Sequence, residues 1–451
     1  MKRLAKIKFT PSRILVLGFA SVILIGACLL IMPLASMEGQ SLRFLDALFT
    51  ATSAVCVTGL VVVDTGSYFN TFGQFVIISL IQIGGLGFMT FSTSIAMVLG
   101  KKIGLKERIL IQESFNQFSL AGLVRLIRNV LLLTVAFEFL GGAILSIRFL
   151  FDYPIDRALA FGFFHSVSAF CNAGFDLFGQ VFGEFTSLTH YVNDWTINLT
   201  IGGLIILGGM GFPVIIELFK YPQTRHLSLH TKLVVKITAM LLIMGTIIIF
   251  LLEMTNLKTI AGLDSSGKIL GALFQSITPR TAGYNSLDMT QLRIGTWFIL
   301  IILMFIGASP SSTGGGIKTT TFGVLLAAVI ATIHGKEDAE VAERRIAKDL
   351  VYKAMTITML ALSWVALVTL VMSLMEPHTF IQLLFEVVSA FGTVGLTTGI
   401  TPLLCDISKI LILITMFIGR LGPLTIMLAL AHANQANQAV IKYIEDRIII
   451  G

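Results

Sequence analysis

The segment LFTATSAVCVTGL, residues 48–60, is apolar for most of its length, closes on a glycine and is too short to cross a bilayer. Three further segments repeat its pattern: FFHSVSAFCNAGF at 163–175, LFQSITPRTAGY at 273–284 and LFEVVSAFGTVGL at 384–396. From the shared Phe to the shared Gly the interval is ten residues in three copies and nine in the third, which also replaces Ser-Ala-Phe by Pro-Arg. About ten helical residues cover about 15 Å, half of a hydrocarbon core. Each segment is therefore predicted to enter and leave the membrane on one side. Its returning strand has to line a water-filled cavity, because peptide groups left unpaired against lipid are strongly penalised.

The surroundings agree. The chain has 451 residues, 55% hydrophobic and 13% charged, where a soluble domain carries about 25% charged residues. Its mean hydropathy is +0.89. Eight long apolar runs, near 11–35, 72–99, 122–150, 195–219, 232–253, 296–333, 351–375 and 407–432, flank the short segments in pairs. Self-similarity at this scale decides the architecture. The expected fold is an all-α polytopic membrane protein of four span–pore-helix–span units, set in pseudo-fourfold arrangement around one pore. The units run over 1–100, 101–222, 223–335 and 336–451. The basic opening MKRLAKIKFTPSR leads into a run too long for a signal peptide, with no cleavage site after it. Cys28, Cys56, Cys171 and Cys405 lack metal spacing and read as packing residues.

Lys and Arg alternate between loops. Those on one side, counted with both termini, number 22 against 8 on the other, with Lys318 and Arg420 left inside apolar segments. The positive-inside bias puts both termini in the cytoplasm of a plasma-membrane protein and the short segments on the outer side. The net charge of +7 thus reflects topology, and no nucleic acid partner is expected.

Four returning strands converge on one axis. The expected ion-coordinating backbone is Val57, Thr58 and Gly59; Asn172, Ala173 and Gly174; Thr281, Ala282 and Gly283; and Thr393, Val394 and Gly395. Side chains differ between copies while the glycine recurs, as expected where carbonyl oxygens replace an ion's hydration shell. A calcium cage would need acids there, and the sequence has none. Asp64, Asp176 and Asp288 follow the strands, either as cation-concentrating groups of an outer mouth or as ordinary loop acids.

A second polar interruption stands at 305–322, FIGASPSSTGGGIKTTTF. Its Pro and Gly content forbids a continuous helix, and Lys318 and Arg420 are costly within a membrane. We read Ser309, Pro310, Ser311, Ser312, Thr313, Gly314, Gly315, Gly316, Lys318 and Arg420 as a gate below the filter, with the two cations contacting carbonyls or the loop itself. The equivalent runs IGGLGFMTF, LGGMGFPVI and FIGRLGPLT hold small residues and no such insertion.

The strand motifs VCVTGL, FCNAGF, RTAGY and GTVGL, with GASPSSTGGGIKTTTF and FIGRLGPLT, resemble the superfamily of potassium transporters that includes bacterial Ktr and Trk membrane subunits and their plant and fungal relatives. The resemblance covers essentially the whole chain, and the first span near residue 11 suits the shorter Ktr type. It implies K+ as the permeant ion, a homodimer, and a cytoplasmic ring of KtrA- or KtrC-like regulatory subunits that bind the nucleotide. This chain itself is expected to hold no cofactor. Some plant relatives with Ser at the first filter position favour sodium, and here that position is Gly59. The residues do not choose between coupled or activating Na+, coupled H+ and neither.

Other readings are weaker. The 305–322 segment echoes a P-loop, but Ile317 stands where that motif has Gly before Lys. His226 and His230 have helical metal spacing without a third ligand. Glu138 is an intramembrane acid, readable as a counter-charge or as part of a coupling path. No nucleophile–base or metal constellation marks an enzyme. A secondary transporter with a broken-helix substrate site is the rival. The charged stretch at 334–353 is expected to be a solvated helix, open to a cytoplasmic partner or a plain connector.

Overall fold

The computed structural model describes residues 11–87, 90–91, 93, 104, 109 and 122–430. The basic N-terminal segment, most of the basic stretch before residue 122 and the tail after 430 lie outside the described residues.

Each of the four sequence units opens with a long helix and continues through a short one. The first unit holds α1 (Pro11–Ile31), α2 (Phe44–Val55) and α3 (Thr71–Leu86). The second holds α4 (Leu123–Phe149), α5 (Ile155–Phe170), α6 (Trp195–Met210) and α7 (Phe212–Thr224). The third holds α8 (Leu229–Glu253), α9 (Ser265–Ile277), α10 (Ile294–Phe305) and α11 (Thr319–Ile333). After a hairpin of β1 (Glu340–Val341) and β2 (Arg344–Arg345) come α12 (Lys348–Ser373), α13 (Phe380–Gly392), α14 (Asp406–Leu421) and α15 (Pro423–Leu430). Among the described residues, α1, α4, α8 and α12 are single helices long and apolar enough to cross a membrane.

Helix starts follow local chemistry. The side chains of Asn70, Asp194, Ser228 and Asp264 accept backbone N–H groups at the starts of α3, α6, α8 and α9. Thr379 and Gln382 form a reciprocal capping box on α13.

The later span departs from expectation in three of the four units. Only the third, broken between α10 and α11, was predicted to be interrupted. In fact α3 stops at Gly87, α6 and α7 meet at Gly211 with a bend of 102°, and α14 meets α15 at Gly422. All three glycines have φ between 82° and 90°, outside the helical region. At 422 the following Pro423 adds to the break, since a residue before proline is pushed out of the helical conformation.

Three residues before each break, Gly84, Gly208 and Gly419 pack on the carbonyl oxygens of Val55, Phe170 and Phe391, where a Cβ has no room. The later helix thus rests directly on the C-terminal end of the short helix. The shared phenylalanines Phe49, Phe274 and Phe385 are buried beneath, as is Phe164. Two ion pairs tie the last unit to the first, Lys409–Asp46 at 3.0 Å and Arg43–Asp406 at 2.8 Å.

The 334–353 stretch also departs from expectation. A two-residue turn with positive φ at Ala342 and Glu343 reverses the chain, and Glu340 pairs with Arg345 across the hairpin. Helix resumes only at Lys348. Ala339 and Ile346 are buried against Ala327 of α11, which fixes the hairpin where charge spacing alone suggested a helix.

Candidate ion pathway

Each short helix ends in the same backbone sequence of conformations. Val57, Asn172, Thr281 and Thr393 have φ of 51°, 59°, 66° and 49°, and Gly59, Gly174, Gly283 and Gly395 have φ of 87°, 72°, 82° and 95°. The left-handed region is a genuine outlier for a β-branched residue, and three of these four are β-branched. Three such outliers, with Asn172 in the same register, mark strained backbone of the kind kept at functional sites.

Hydroxyl residues hold the strands in that shape. The carbonyls of Ser53, Ser168, Thr278 and Ser389 accept the N–H groups of Thr58, Ala173, Ala282 and Val394 at 2.8–3.0 Å. Their hydroxyls do a second job. Those of Ser53 and Ser389 accept from the Gly59 and Gly395 N–H at 3.0 and 3.1 Å, and those of Ser168 and Thr278 donate to the Phe175 and Tyr284 carbonyls. Sequence reading missed these residues, although a hydroxyl recurs six residues before the glycine in three copies and five before it in the shorter third.

The four strands meet. A methyl group placed at Gly59 would lie 2.6 Å from the Ala173 carbonyl oxygen, at Gly174 2.5 Å from that of Ala282, and at Gly283 2.5 Å from that of Val394. At Gly395 it would strike the Thr58 carbonyl oxygen. The order is closed, first strand to second, third, fourth and back to the first. Backbone oxygens of neighbouring strands are thus packed where only glycine fits. The Tyr284 hydroxyl donates to the Phe175 carbonyl at 2.8 Å, and the Asn172 amide donates to the Arg280 carbonyl at 3.0 Å, tying the second strand to the third.

The segment between α10 and α11 is built against these strands. The Thr313 hydroxyl reaches the Phe170 carbonyl and the Asn172 side chain at 3.2 and 3.1 Å. Gly314 packs on the Thr281 side chain, and the Gly315 N–H donates to the Thr393 hydroxyl at 3.1 Å. On the other flank the Ser309 N–H donates to the Gly209 carbonyl at 2.9 Å, the Phe212 N–H donates to the Ser311 carbonyl at 3.0 Å, and Gly211 packs on the Pro310 carbonyl. The hydroxyls of Ser309 and Thr319 close the segment on itself at 2.8 Å.

Both cations engage carbonyl oxygens. Lys318 Nζ donates to Gly314 at 2.7 Å. Arg420 donates to the Thr313 carbonyl and to those of Gly84 and Gly85, so one guanidinium joins the segment to the end of α3. No carboxylate pairs with either among the described residues. Arg420 directly follows the packed Gly419, where the first two units carry Gly85 and Gly209.

The remaining candidates fall in varied places. Asp64, Asp176 and Asp288 accept the N–H groups of Ser67, Phe178 and Thr290 and shape the turns after the strands. Glu138 is buried, with Gln82 at 3.3 Å and the Cys171 thiol, next to Asn172, at 3.7 Å. Arg280 is one of the eight Lys and Arg that the alternation of loops assigns to the outer side. It is in fact 3% exposed within the third strand segment, and its terminal nitrogens find no partner among the described residues. His226 and His230 join no group of three metal-binding side chains among the described residues.

Apolar spans and a closed set of backbone strands define a multi-pass membrane protein of the ion-transport class. The chain belongs to the TrkH family of cation transport proteins, whose profile matches residues 10–439. It is 44% identical to Ktr system potassium uptake protein B of Bacillus subtilis, over 99% of this chain and 98% of that one. It is 39% identical to potassium/sodium uptake protein NtpJ of Enterococcus hirae, over 100% and 99%. The fold matches the crystal structure of the potassium transporter TrkH from Vibrio parahaemolyticus with a TM-score of 0.73, at 17% identity, over 95% of this chain and 87% of that one.

Proposed function

We propose that this chain is the ion-conducting subunit of a potassium uptake system, its four units surrounding one pore. K+ passes through the carbonyl oxygens of the strands at 57–59, 172–174, 281–283 and 393–395, which take the place of its hydration shell. The observation that carries this reading is the closed order of four positive-φ glycines, each packed on the next strand's carbonyl. Residues 309–316, with Lys318 and Arg420, form the gate beneath, where two positive charges oppose a permeating cation until the segment moves. The breaks in four helices would also suit a carrier with a midplane site, but a carrier has no need of four strands in one register.

Both termini face the cytoplasm, and the chain works as a homodimer under a nucleotide-binding cytoplasmic ring, as a component of a Ktr-type system would. Sodium dependence fits the relative whose name includes sodium. The test is rubidium uptake into K+-loaded proteoliposomes, with external K+, Na+ and Li+ as competitors. K+ should block uptake and Na+ scarcely affect it, and Gly59→Ser should bring in competition by Na+. Equal competition by K+ and Na+ in the native protein would overturn the filter. If the isolated chain is silent, adding the regulatory ring should restore flux; continued silence would overturn the pore.

A further inference from the structure

The position directly after the shared phenylalanine is polar in every short helix: Thr50, His165, Gln275 and Glu386. All four are 0% exposed. A polar group so deep needs a partner, and the four find different ones.

In the second unit, His165 Nδ1 lies 2.6 Å from the Phe161 carbonyl, so Nδ1 carries the proton and Nε2 is an acceptor. Nε2 takes the Leu177 N–H at 3.3 Å, with the ring stacked on Phe178 at 4.4 Å. In the fourth unit, Glu386 Oε1 accepts from the Thr398 N–H at 2.8 Å and the Thr397 hydroxyl at 2.6 Å, and Oε2 accepts from the Thr401 hydroxyl at 2.7 Å. The two backbone bonds share one register. Leu177 and Thr398 each stand three residues beyond the strand glycine, and each bond spans 12 residues.

The other two units lack this bond. The Thr50 hydroxyl donates within its own helix, to the Asp46 carbonyl at 2.9 Å. Gln275 donates to the Met289 sulfur at 3.4 Å, while its Oε1 has no partner among the described residues. Nor has the hydroxyl of Ser286, three residues beyond Gly283.

We propose that His165 and Glu386 are positioning residues for ion discrimination, bracing the outer ends of the second and fourth strands from behind. The first strand lacks such a bond, and the third is held instead at Asn285, by the Ser187 hydroxyl at 3.2 Å and the Leu188 N–H at 3.0 Å. The inference rests on the filter reading above. Na+ is smaller than K+ and is held only if carbonyl oxygens draw closer. A strand pinned three residues past its glycine resists that movement, and an unpinned one yields.

The test is the rubidium assay, scored as the ratio of the inhibition constants of Na+ and K+. Glu386→Met and His165→Phe keep the volume and remove the acceptor, and should lower the ratio at least about fivefold. Glu386→Gln keeps an acceptor and should stay within about twofold of the native protein. Thr50→Val and Gln275→Met should also stay within about twofold, since neither side chain bonds the backbone three residues beyond its strand glycine. Glu386→Thr and His165→Thr copy the residue of the first unit, so they carry the test if the bulkier changes fail to insert.

A merely structural role would lower the amount of active protein and leave the ratio alone. An unchanged ratio in the acceptor-free variants, or an equal fall in Glu386→Gln or Thr50→Val, would overturn the brace. Gly395→Ser in the same series separates the two readings. If it shifts the ratio while Glu386→Met and His165→Phe do not, only the brace falls; if it has no effect, the filter reading falls and takes the brace with it.

Discussion

Replacing Lys409 by methionine should destabilise the protein by about 3–5 kcal/mol, because it strands Asp46 as a buried, uncompensated charge. The pair is 3.0 Å apart, with side chains 9% and 12% exposed. At that separation and an effective dielectric near 20, the Coulomb attraction is about 5.5 kcal/mol. Asp46 lies in the first turn of α2, where the helix N-terminus offsets about 0.3–1 kcal/mol of the loss. The lower half of the range is therefore expected. The neighbouring Arg43–Asp406 pair joins the same two helices at 2.8 Å, but its side chains are 64% and 56% exposed. Solvent screening leaves such a pair about 0–1 kcal/mol, so Arg43→Ala is the internal control. The double variant Asp46→Leu, Lys409→Met should recover most of the loss, since apolar groups of similar volume commonly replace a buried pair without cost. Thermal unfolding of the purified protein in detergent, followed by size-exclusion chromatography, ranks the four. A Lys409→Met midpoint no lower than that of Arg43→Ala, or a double variant below the single, would refute this account.

Arg420→Ala removes the guanidinium that joins Thr313 to the end of α3, and should raise rubidium uptake by the isolated chain several-fold; unchanged flux would count against the gate. Ser389→Ala leaves the Gly395 N–H without its acceptor at about 1–3 kcal/mol, and increased Na+ competition in the same assay is the expected sign. Gly211→Ala meets both a φ of 90° and the Pro310 carbonyl, so its unfolding midpoint should fall. Gly203→Ala, in the middle of α6 with no neighbour within 4 Å, should leave the midpoint level or raise it slightly.

The sequence was most legible where one pattern recurs. The Phe-to-Gly interval located all four short helices and strands, and hydropathy located α1, α4, α8 and α12. It failed where a single residue overrides a periodic run. Gly87, Gly211 and Gly422 sit inside apolar stretches that read as continuous spans, and one positive φ in each suffices to break them. The hairpin at 340–345 was missed for a different reason. Its charge spacing suits a helix, and the burial of Ala339 and Ile346 against α11 is a tertiary fact. Ser53, Ser168, Thr278 and Ser389 were visible as letters but not as roles. A hydroxyl among apolar residues gains its meaning only from the strand folded back on it.

The place held by Arg420 has a consequence for how the proposed pore is best encoded. Four identical subunits would bring an arginine to that level four times or not at all. Guanidiniums 5 Å apart repel by about 3 kcal/mol per pair at an effective dielectric near 20, and four of them would force the helices apart. Joining the units in one polypeptide removes that constraint. Gly85 and Gly209 stay small while a single arginine stands in the last unit, so mutation can tune one unit without being copied to the others.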